Sequence, residues 1–303
     1  MVITTSGHIK YGLHYLVHPE IPIFLLDRPE PVLFDAGLSC AGQVYVEAVK
    51  AVLGDRSPSI LFLTHSHWDH CGAAPVLKAA FPDMKIAASA LTAEIVKRPN
   101  ALTLIRQLNE AARAEVCKVP GIEPYLINDP FIPFAIDIEL SDGQVFDLGA
   151  GTTVQVLATP GHTQDHHSFY LPKEKILIAG EAAGVYYGPS TISPEFVSDY
   201  EAYLSSLRRL ALLPAEVYCQ GHMACLTGEE DISDYMQRSI QATVHFKNRA
   251  EELLEEENGS VERVVQRIKA EQYDNNPELK QPATTYMLNL QARIAHLAAK
   301  SQQ

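Results

Sequence analysis

The feature that most constrains this chain is a group of metal-ligand residues placed directly behind an apolar run. Residues 60–63 read Ile-Leu-Phe-Leu, which predicts a short buried strand. The next residues, Thr64-His65-Ser66-His67-Trp68-Asp69-His70, hold three histidines and one aspartate within six positions. Imidazole nitrogens and carboxylate oxygens are ligands that divalent metals such as zinc accept. The chain is therefore expected to fold so that a buried strand ends at a metal site.

The spacing within this loop divides the four side chains into two pairs. Alternate residues of an extended segment point to the same side, so His65 and His67 can hold one ion. Asp69 and His70 lie further along the loop and can hold a second ion. Four possible ligands immediately behind a buried strand are unlike solvated surface histidines, and the segment predicts metal binding.

Three remote residues share the context of this loop. His162 follows the strand-like residues 154–158 through the turn Thr159-Pro160-Gly161. Glu181 follows residues 176–180 and His222 follows residues 217–221, each directly after a glycine. A lone histidine or glutamate in a loop is usually solvent-exposed. The repeated order of strand, small residue and ligand type is what makes these three candidates for the same site.

The order of the predicted elements indicates a mixed α/β (α+β) chain with a helical end. Short apolar runs bounded by Gly, Pro, Asp and Asn predict strands up to about residue 180, with helical patterns at 43–52, 73–80, 90–97 and 102–116. Apolar residues at helical spacing predict further helices over residues 200–210, 231–257 and 261–271, and from Pro282 onward. We expect a catalytic domain at residues 1–228 and a helical cap at residues 229–303.

Composition excludes several other classes of protein. The 24 Lys and Arg against 37 Asp and Glu give a net charge of −13, which disfavours binding to a nucleic-acid backbone. The five cysteines include no C-x-x-C pair, so neither a disulfide framework nor a zinc finger is predicted. The N-terminal residues lack a signal-peptide pattern, and the longest apolar runs are too short to span a membrane. We expect a cytoplasmic protein that binds a small-molecule substrate and can form a homo-oligomer.

Taken together, these residues resemble the metallo-β-lactamase superfamily. His65-Ser66-His67-Trp68-Asp69-His70 matches the H-x-H-x-D-H motif of that family. Gly161-His162, Gly180-Glu181 and Gly221-His222 follow in the family's order. Within the superfamily, the loop, the segments 161–166 and 199–204 and the helical last third are most similar to the 2-aminobenzoylacetyl-CoA thioesterases of alkylquinolone signalling and their unassigned relatives.

The resemblance implies a fold, a cofactor and a set of ligands. The fold would be a four-layer αββα sandwich with a C-terminal helical extension. Its cofactor would be two divalent metal ions: zinc by ligand type, with iron or manganese as alternatives. The first ion would bind His65, His67 and His162, and the second Asp69, His70 and His222. Glu181 would bridge the two ions, and Asp69 would also act in catalysis by orienting the attacking water.

One ligand departs from the family's pattern. The family usually has aspartate where this chain has Glu181, and the extra methylene lengthens the reach of the carboxylate by about 1.5 Å. The residue could be set back, could bridge differently, or could leave the second metal more weakly bound. The sequence does not choose among these alternatives.

The implied activity is hydrolysis by water that two metal ions activate, without a serine or cysteine nucleophile. A thioester, ester or lactone is the preferred substrate, and the C-terminal helices would supply an apolar pocket for its acyl part. A small-molecule phosphodiesterase is the second hypothesis, because a metal pair also binds phosphoryl oxygens. A third is a binding or signalling protein with a residual metal site.

Overall fold

The strands predicted in the first 140 residues form one mixed sheet in the computed structural model, which describes residues 1–17, 21–118, 126–127, 131–279 and 281–300. Its seven strands occur in sequence order; the first four pair antiparallel to one another, and the fourth to the seventh pair parallel. They are β2 (Gly7–Lys10), β3 (Leu13–Val17), β4 (Pro22–Leu26), β5 (Val32–Phe34), β6 (Ile60–Phe62), β7 (Lys85–Ser89) and β8 (Ile138–Leu140).

A second sheet takes its strands from the middle of the chain and from the N-terminus. The strands are β1 (Val2–Ile3), β9 (Val145–Asp147), β10 (Thr153–Ala158), β11 (His167–Leu171), β12 (Ile176–Gly180), β15 (Val217–Gln220) and β16 (Cys225–Thr227). Their order in the sheet is β1-β16-β15-β12-β11-β10-β9, and the β12–β15 pair is parallel. A separate hairpin joins β13 (Val185–Gly188) and β14 (Thr191–Ser193).

The helices cover the outer faces of the two sheets and the edge where the predicted site lies. They are α1 (Gly42–Leu53), α2 (Trp68–Cys71), α3 (Ala74–Ala80), α4 (Ala90–Ile95), α5 (Pro99–Val116), α6 (Tyr200–Ala211), α7 (Glu229–Glu256), α8 (Val261–Gln272) and α9 (Ala283–Lys300).

Three apolar clusters show the order of the layers. Between the sheets, Phe34 and Phe62 of the first pack against Phe169 of the second, with ring centroids 5.1 to 5.5 Å apart. Another cluster joins the outer face of the first sheet to α1 and α3. The third joins the outer face of the second sheet to α6, α7, α8 and α9. The layers therefore follow the order αββα, and the predicted fold is confirmed.

The helical last third was predicted closely because its end signals are local. Asp199 caps α6 by accepting a hydrogen bond from the Ala202 amide at 2.9 Å. The predicted stop of the long helix falls at Gly259, which has a φ of 75° and whose N–H donates to the Leu254 carbonyl oxygen. The helices α7, α8 and α9 share one apolar cluster with the second sheet. The division at residue 228 stays a prediction.

The β13–β14 hairpin was not predicted from the sequence. Its two strands are short, and Gly188-Pro189 interrupts their apolar pattern. The connection into it is held by α7, where the Tyr235 hydroxyl donates to the Gly184 carbonyl oxygen at 2.8 Å and the Ser239 hydroxyl to that of Ala183 at 2.6 Å. Such long-range contacts leave no signal in a short window of sequence. Within the described ranges, no helix is both long and apolar enough to cross a membrane.

Candidate metal centre

The candidate site lies where β6, β10, β12 and β15 end. The loop after β6 carries His65 and His67 before it turns into α2, which carries Asp69 and His70. The turns after β10, β12 and β15 carry the three remote candidates. Parallel strands present their carboxyl ends at one edge of a sheet, and the two packed sheets bring their edges together. All seven residues predicted from the sequence are therefore neighbours in the fold.

One group of ligand atoms surrounds one oxygen of Glu181. His65 Nε2 lies 3.6 Å from Glu181 Oε2, and His67 Nδ1 lies 4.0 Å from the same oxygen. His162 Nε2 contacts this oxygen and lies 3.0 Å from His67 Nδ1. The four residues offer ligand atoms that lie within 4.8 Å of one another, close enough to surround a single ion.

The other oxygen of Glu181 faces a second group. His222 Nε2 lies 2.7 Å from Glu181 Oε1 and 3.7 Å from Asp69 Oδ2. Asp69, His70 and His222 offer ligand atoms that also lie within 4.8 Å of one another. The carboxylate of Glu181 thus lies between the two groups with one oxygen toward each, which is the position the predicted bridge requires.

The protonation and hydrogen bonding of the donors fit divalent metal ions. The Nε2 atoms of His65 and His70 are buried and have no hydrogen-bond partner, although buried polar atoms are normally paired. Burial and the neighbouring imidazoles hold the pKa of His65 well below its usual range, so its ring is neutral. Burial alone would raise the pKa of Glu181, but His162 and His222 keep it well below its usual range. Unpaired imidazole nitrogens beside an ionised carboxylate form a donor set suited to zinc.

Two glycines permit this close approach. A Cβ atom added to Gly221 would lie 2.8 Å from His70 Cε1 and 3.1 Å from Glu181 Cγ. Gly180 has a φ of 54°, and a Cβ there would lie 2.7 Å from His166 Nε2. The glycines before Glu181 and His222 are therefore required by the space around the site.

Asp35 supports the site and was missed in the sequence. Its Oδ2 accepts a hydrogen bond from His70 Nδ1 at 2.9 Å, which leaves Nε2 of that ring facing the site. Its Oδ1 accepts from the Thr64 amide at 2.8 Å. Burial alone would lower the pKa of His70, but Asp35 and Asp69 raise it to about 9 in the metal-free protein. A strand end followed by a ligand-type residue, here Phe34-Asp35, was the signal that could have found it.

His166 and Asp165 hold the loops that carry the ligands. His166 accepts a hydrogen bond from the Glu181 amide through Nε2 at 3.3 Å, and its Nδ1 pairs with the Thr159 hydroxyl. Asp165 Oδ2 accepts from the Ser66 amide at 2.9 Å. These contacts tie the His162 turn to the Glu181 strand end and to the first loop.

The C-terminal helix α9 reaches the site through a buried arginine. His162 Nδ1 donates to the Glu195 carbonyl oxygen, which fixes the direction of its ring. Arg293 of α9 is 1% exposed and donates to the neighbouring Pro194 carbonyl oxygen. The carboxylate of Glu195 is also buried and has no hydrogen-bond partner, and burial raises its pKa despite the charge of Arg293. The last helix therefore helps to hold one of the predicted ligands.

Two cavities open onto the candidate ligands beneath α5 and the first turns of α9. The smaller has a volume of about 170 Å³ and touches His67, Asp69, Glu181 and His222. The larger has a volume of about 350 Å³ and touches Asp69 and His222. A molecule bound in either cavity would contact the ligand residues directly.

Known proteins with similar sequences include ACP thioesterases and hydroxyacylglutathione hydrolases. The chain is 27% identical over 222 residues to atrochrysone carboxyl ACP thioesterase of Aspergillus fumigatus, covering 73% of this chain and 54% of that protein. It is 29% identical over 168 residues to hydroxyacylglutathione hydrolase of Mesorhizobium japonicum, covering 55% and 49%. The chain spans about half the length of these curated relatives.

Solved structures show the same fold at low sequence identity. A metallo-beta-lactamase family protein from Thermus thermophilus has a TM-score of 0.64 at 23% identity, covering 96% of this chain and 94% of that one. The inverting sec-alkylsulfatase of a Pseudomonas species has a TM-score of 0.68 at 15% identity, covering 96% and 49%. The sequence model of the family matches residues 23–222, a range that includes all seven candidate ligands. The predicted resemblance is confirmed at this level: the chain belongs to the metallo-β-lactamase superfamily.

Proposed function

We propose that this protein is a dinuclear-metal-dependent hydrolase that cleaves a thioester, ester or lactone of a small molecule. The observation that carries the proposal is the position of Glu181, whose two carboxylate oxygens face two separate groups of ligand atoms. The names of the thioester-cleaving relatives support this choice of substrate. Nothing in the described site favours a phosphodiester.

The residues present fit two divalent ions, zinc by ligand type with iron or manganese as alternatives. One ion would be held by His65, His67 and His162, and the other by Asp69, His70 and His222, with Glu181 shared between them. When bound, such ions lower the pKa of water to about 7 and polarise a carbonyl oxygen.

The chain's own residues then supply orientation and proton transfer. Asp69 lines both cavities and carries a carboxylate at their common floor. We assign it the orientation of the attacking water and the acceptance of its proton. Cys71 is not a competing nucleophile, because its thiol is buried, donates to the Ser66 carbonyl oxygen, and has a pKa that burial raises.

The C-terminal residues and the cysteines support two further parts of the proposal, a helical cap and a cytoplasmic location. We propose that residues 229–303 act as a cap, since Gln281, just before α9, and Thr285, in its first turn, line both cavities. The described cysteines are all free, which is typical of a reducing compartment and supports a cytoplasmic location.

Metal stoichiometry in Glu181→Ala tests the proposal most directly. We expect two ions per chain in the wild-type protein, and fewer in this variant because both groups lose the shared carboxylate. Glu181→Asp is the matched control and should retain more metal than the alanine variant. Two tightly bound ions in Glu181→Ala would contradict the bridge. Failure of the metal-loaded wild type to hydrolyse any of a panel of thioesters, esters and lactones would contradict the activity.

A further inference from the structure

The two cavities differ in size and share one wall. Both linings include Trp68, Leu108 and Thr285, together with the ligands Asp69 and His222. Helix α5 crosses over both cavities, and its two halves line different ones. The first half gives the smaller cavity Ala101, Leu104 and Ile105, and the second half gives the larger cavity Ala111, Ala112 and Val116.

Away from the ligands, the described residues that line the two cavities are mostly apolar. Among the described residues that line either cavity, none is lysine or arginine. Besides Asp69 and Glu181, the described lining residues include one acidic residue, Glu115. It is exposed and pairs with Lys118 at 2.6 Å. Away from the metal ligands, a carboxylate or phosphate in these cavities would lose its hydration without gaining a cation from the described lining residues, which is costly.

We propose that the substrate is an uncharged, open-chain thioester or ester with an apolar arm on each side of the scissile bond. This inference rests on the proposed function. The longer arm lies in the larger cavity beneath Ala111 and Ala112, and the shorter arm lies in the smaller cavity beneath Leu104. The scissile carbonyl lies where the two cavities meet, beside Asp69 and His222.

The cavity volumes set the lengths of the two arms. A small group occupies about 30 Å³, as a water molecule does in the liquid. The larger cavity of about 350 Å³ therefore has room for roughly ten heavy atoms, and the smaller one of about 170 Å³ for roughly five. A ten-carbon acyl group with a short thiol meets both limits.

A homologous series of S-ethyl thioesters, from acetyl to dodecanoyl, tests this inference with the metal-loaded full-length enzyme. Thiol release is measured, and kcat/KM is expected to rise about fourfold per added methylene until the larger cavity is full near ten carbons. A second series replaces the terminal methyl group by a carboxylate. We expect a loss of about 100-fold or more in kcat/KM for the charged octanoyl analogue relative to the uncharged one.

Alanine-to-leucine variants of α5 test whether the long arm of the substrate binds in the larger cavity. Ala112 is half-buried in the wall of the larger cavity, whereas Ala114 is exposed and lines neither cavity. Ala112→Leu should lower kcat/KM at least tenfold more for the decanoyl thioester than for the propionyl thioester. Ala114→Leu should match the wild type for both. If Ala112→Leu fails to fold in a thermal scan, Ala111→Leu, at an exposed lining position, serves instead.

The outcomes separate this inference from the proposed function. Hydrolysis that is independent of chain length, or equal for charged and uncharged analogues, would overturn the two-arm substrate and leave a hydrolase. An unchanged length profile in both lining variants would overturn the placement of the long arm. Absence of turnover with every uncharged thioester and ester, at two bound metals per chain, would overturn this inference. Absence of turnover with charged thioesters and with lactones as well would overturn the proposed function.

Discussion

The floor and the roof of the site are built by different kinds of interaction. The floor comprises the strand-end loops that carry the seven candidate ligands, and polar contacts such as His70 to Asp35 hold it. The roof comprises α5 and the first turns of α9, where Leu104 and Leu288 are 48% and 47% exposed. Buried hydrogen bonds in the floor fix the positions of the ligand side chains. Substitution of the exposed apolar side chains in the roof costs little stability. We expect the floor to govern metal binding and chemistry, and the roof to govern the choice of substrate.

The largest expected effect is on the floor, in His67→Ala. His67 offers its Nδ1 to the first group, and its loss would open that group to solvent. We expect hydrolysis to fall by about 10³-fold or more, since ordered metal chemistry contributes several kcal/mol to the barrier. His245→Ala, a change at an exposed histidine outside the cluster, is the control and should keep its activity and its metal. Wild-type turnover in His67→Ala after its metals are stripped would contradict the mechanism.

Substitution of Arg293 tests whether the roof affects metal binding by the floor. Arg293 lies on α9, the helix that begins in the roof, and it is buried beside Glu195 and Pro194 beneath His162. Arg293→Met should destabilise the fold by about 1–3 kcal/mol, because the Pro194 carbonyl oxygen loses its donor and the buried Glu195 carboxylate loses a nearby positive charge. Urea unfolding measures this loss, and chelator competition measures the metal affinity of the folded fraction.

A double variant helps to interpret that result. Adding Glu195→Gln to Arg293→Met should recover part of the lost stability, since no buried charge then stands alone. Weaker metal binding in the folded Arg293→Met protein would show that the last helix positions His162. Unchanged metal affinity would show that Arg293 contributes only to the stability of the fold and that the roof does not affect metal binding by the floor.

Asp35 should have the next largest effect, through the orientation of His70. Asp35→Asn keeps the shape of the side chain but removes the charge that pairs with Nδ1 of that ring. Metal affinity is expected to fall by about 10- to 100-fold, as is usual for partners that orient a ligand. The matched control is Asp55→Asn, a change in an exposed turn, which should bind metal as the wild type does.

The sequence predicted the floor far better than the roof, for a physical reason. Ligand chemistry restricts the residue types allowed at a metal site, so His65 to His70 could be recognised from six positions. His162, Glu181 and His222 shared a visible context of strand and small residue. The placement of α5 and α9 around the site brings together residues about 180 positions apart, such as Leu108 and Leu288, which line the same cavity. Apolar side chains of similar size satisfy such contacts equally well, and no local pattern records them.

Proton release gives a pH test of the floor. The pKa of His70 is raised to about 9 in the metal-free protein, so below that pH the ring carries a proton that a metal must displace. Metal affinity should therefore fall by about tenfold per pH unit as the pH drops below 9. In the metal-free protein, the stabilising contribution of His70 is complete below pH 6.5 and is lost as the pH rises through 9. Calorimetry in two buffers of different ionisation enthalpy would count the protons released, and Asp35→Asn should release fewer.

The smallest expected effect lies in the roof, in Leu288→Gln. Leu288 is nearly half exposed and lines the smaller cavity, so replacing it removes apolar contact with the substrate without opening the core. We expect KM for an apolar thioester to rise about three- to fivefold, as for the loss of one buried methylene or slightly more. Stability should change by no more than about 0.5 kcal/mol, and the metal content should not change. If Leu288→Gln instead lowered kcat at constant KM, or released metal, the roof would take part in the chemistry and the division of roles between floor and roof would be wrong.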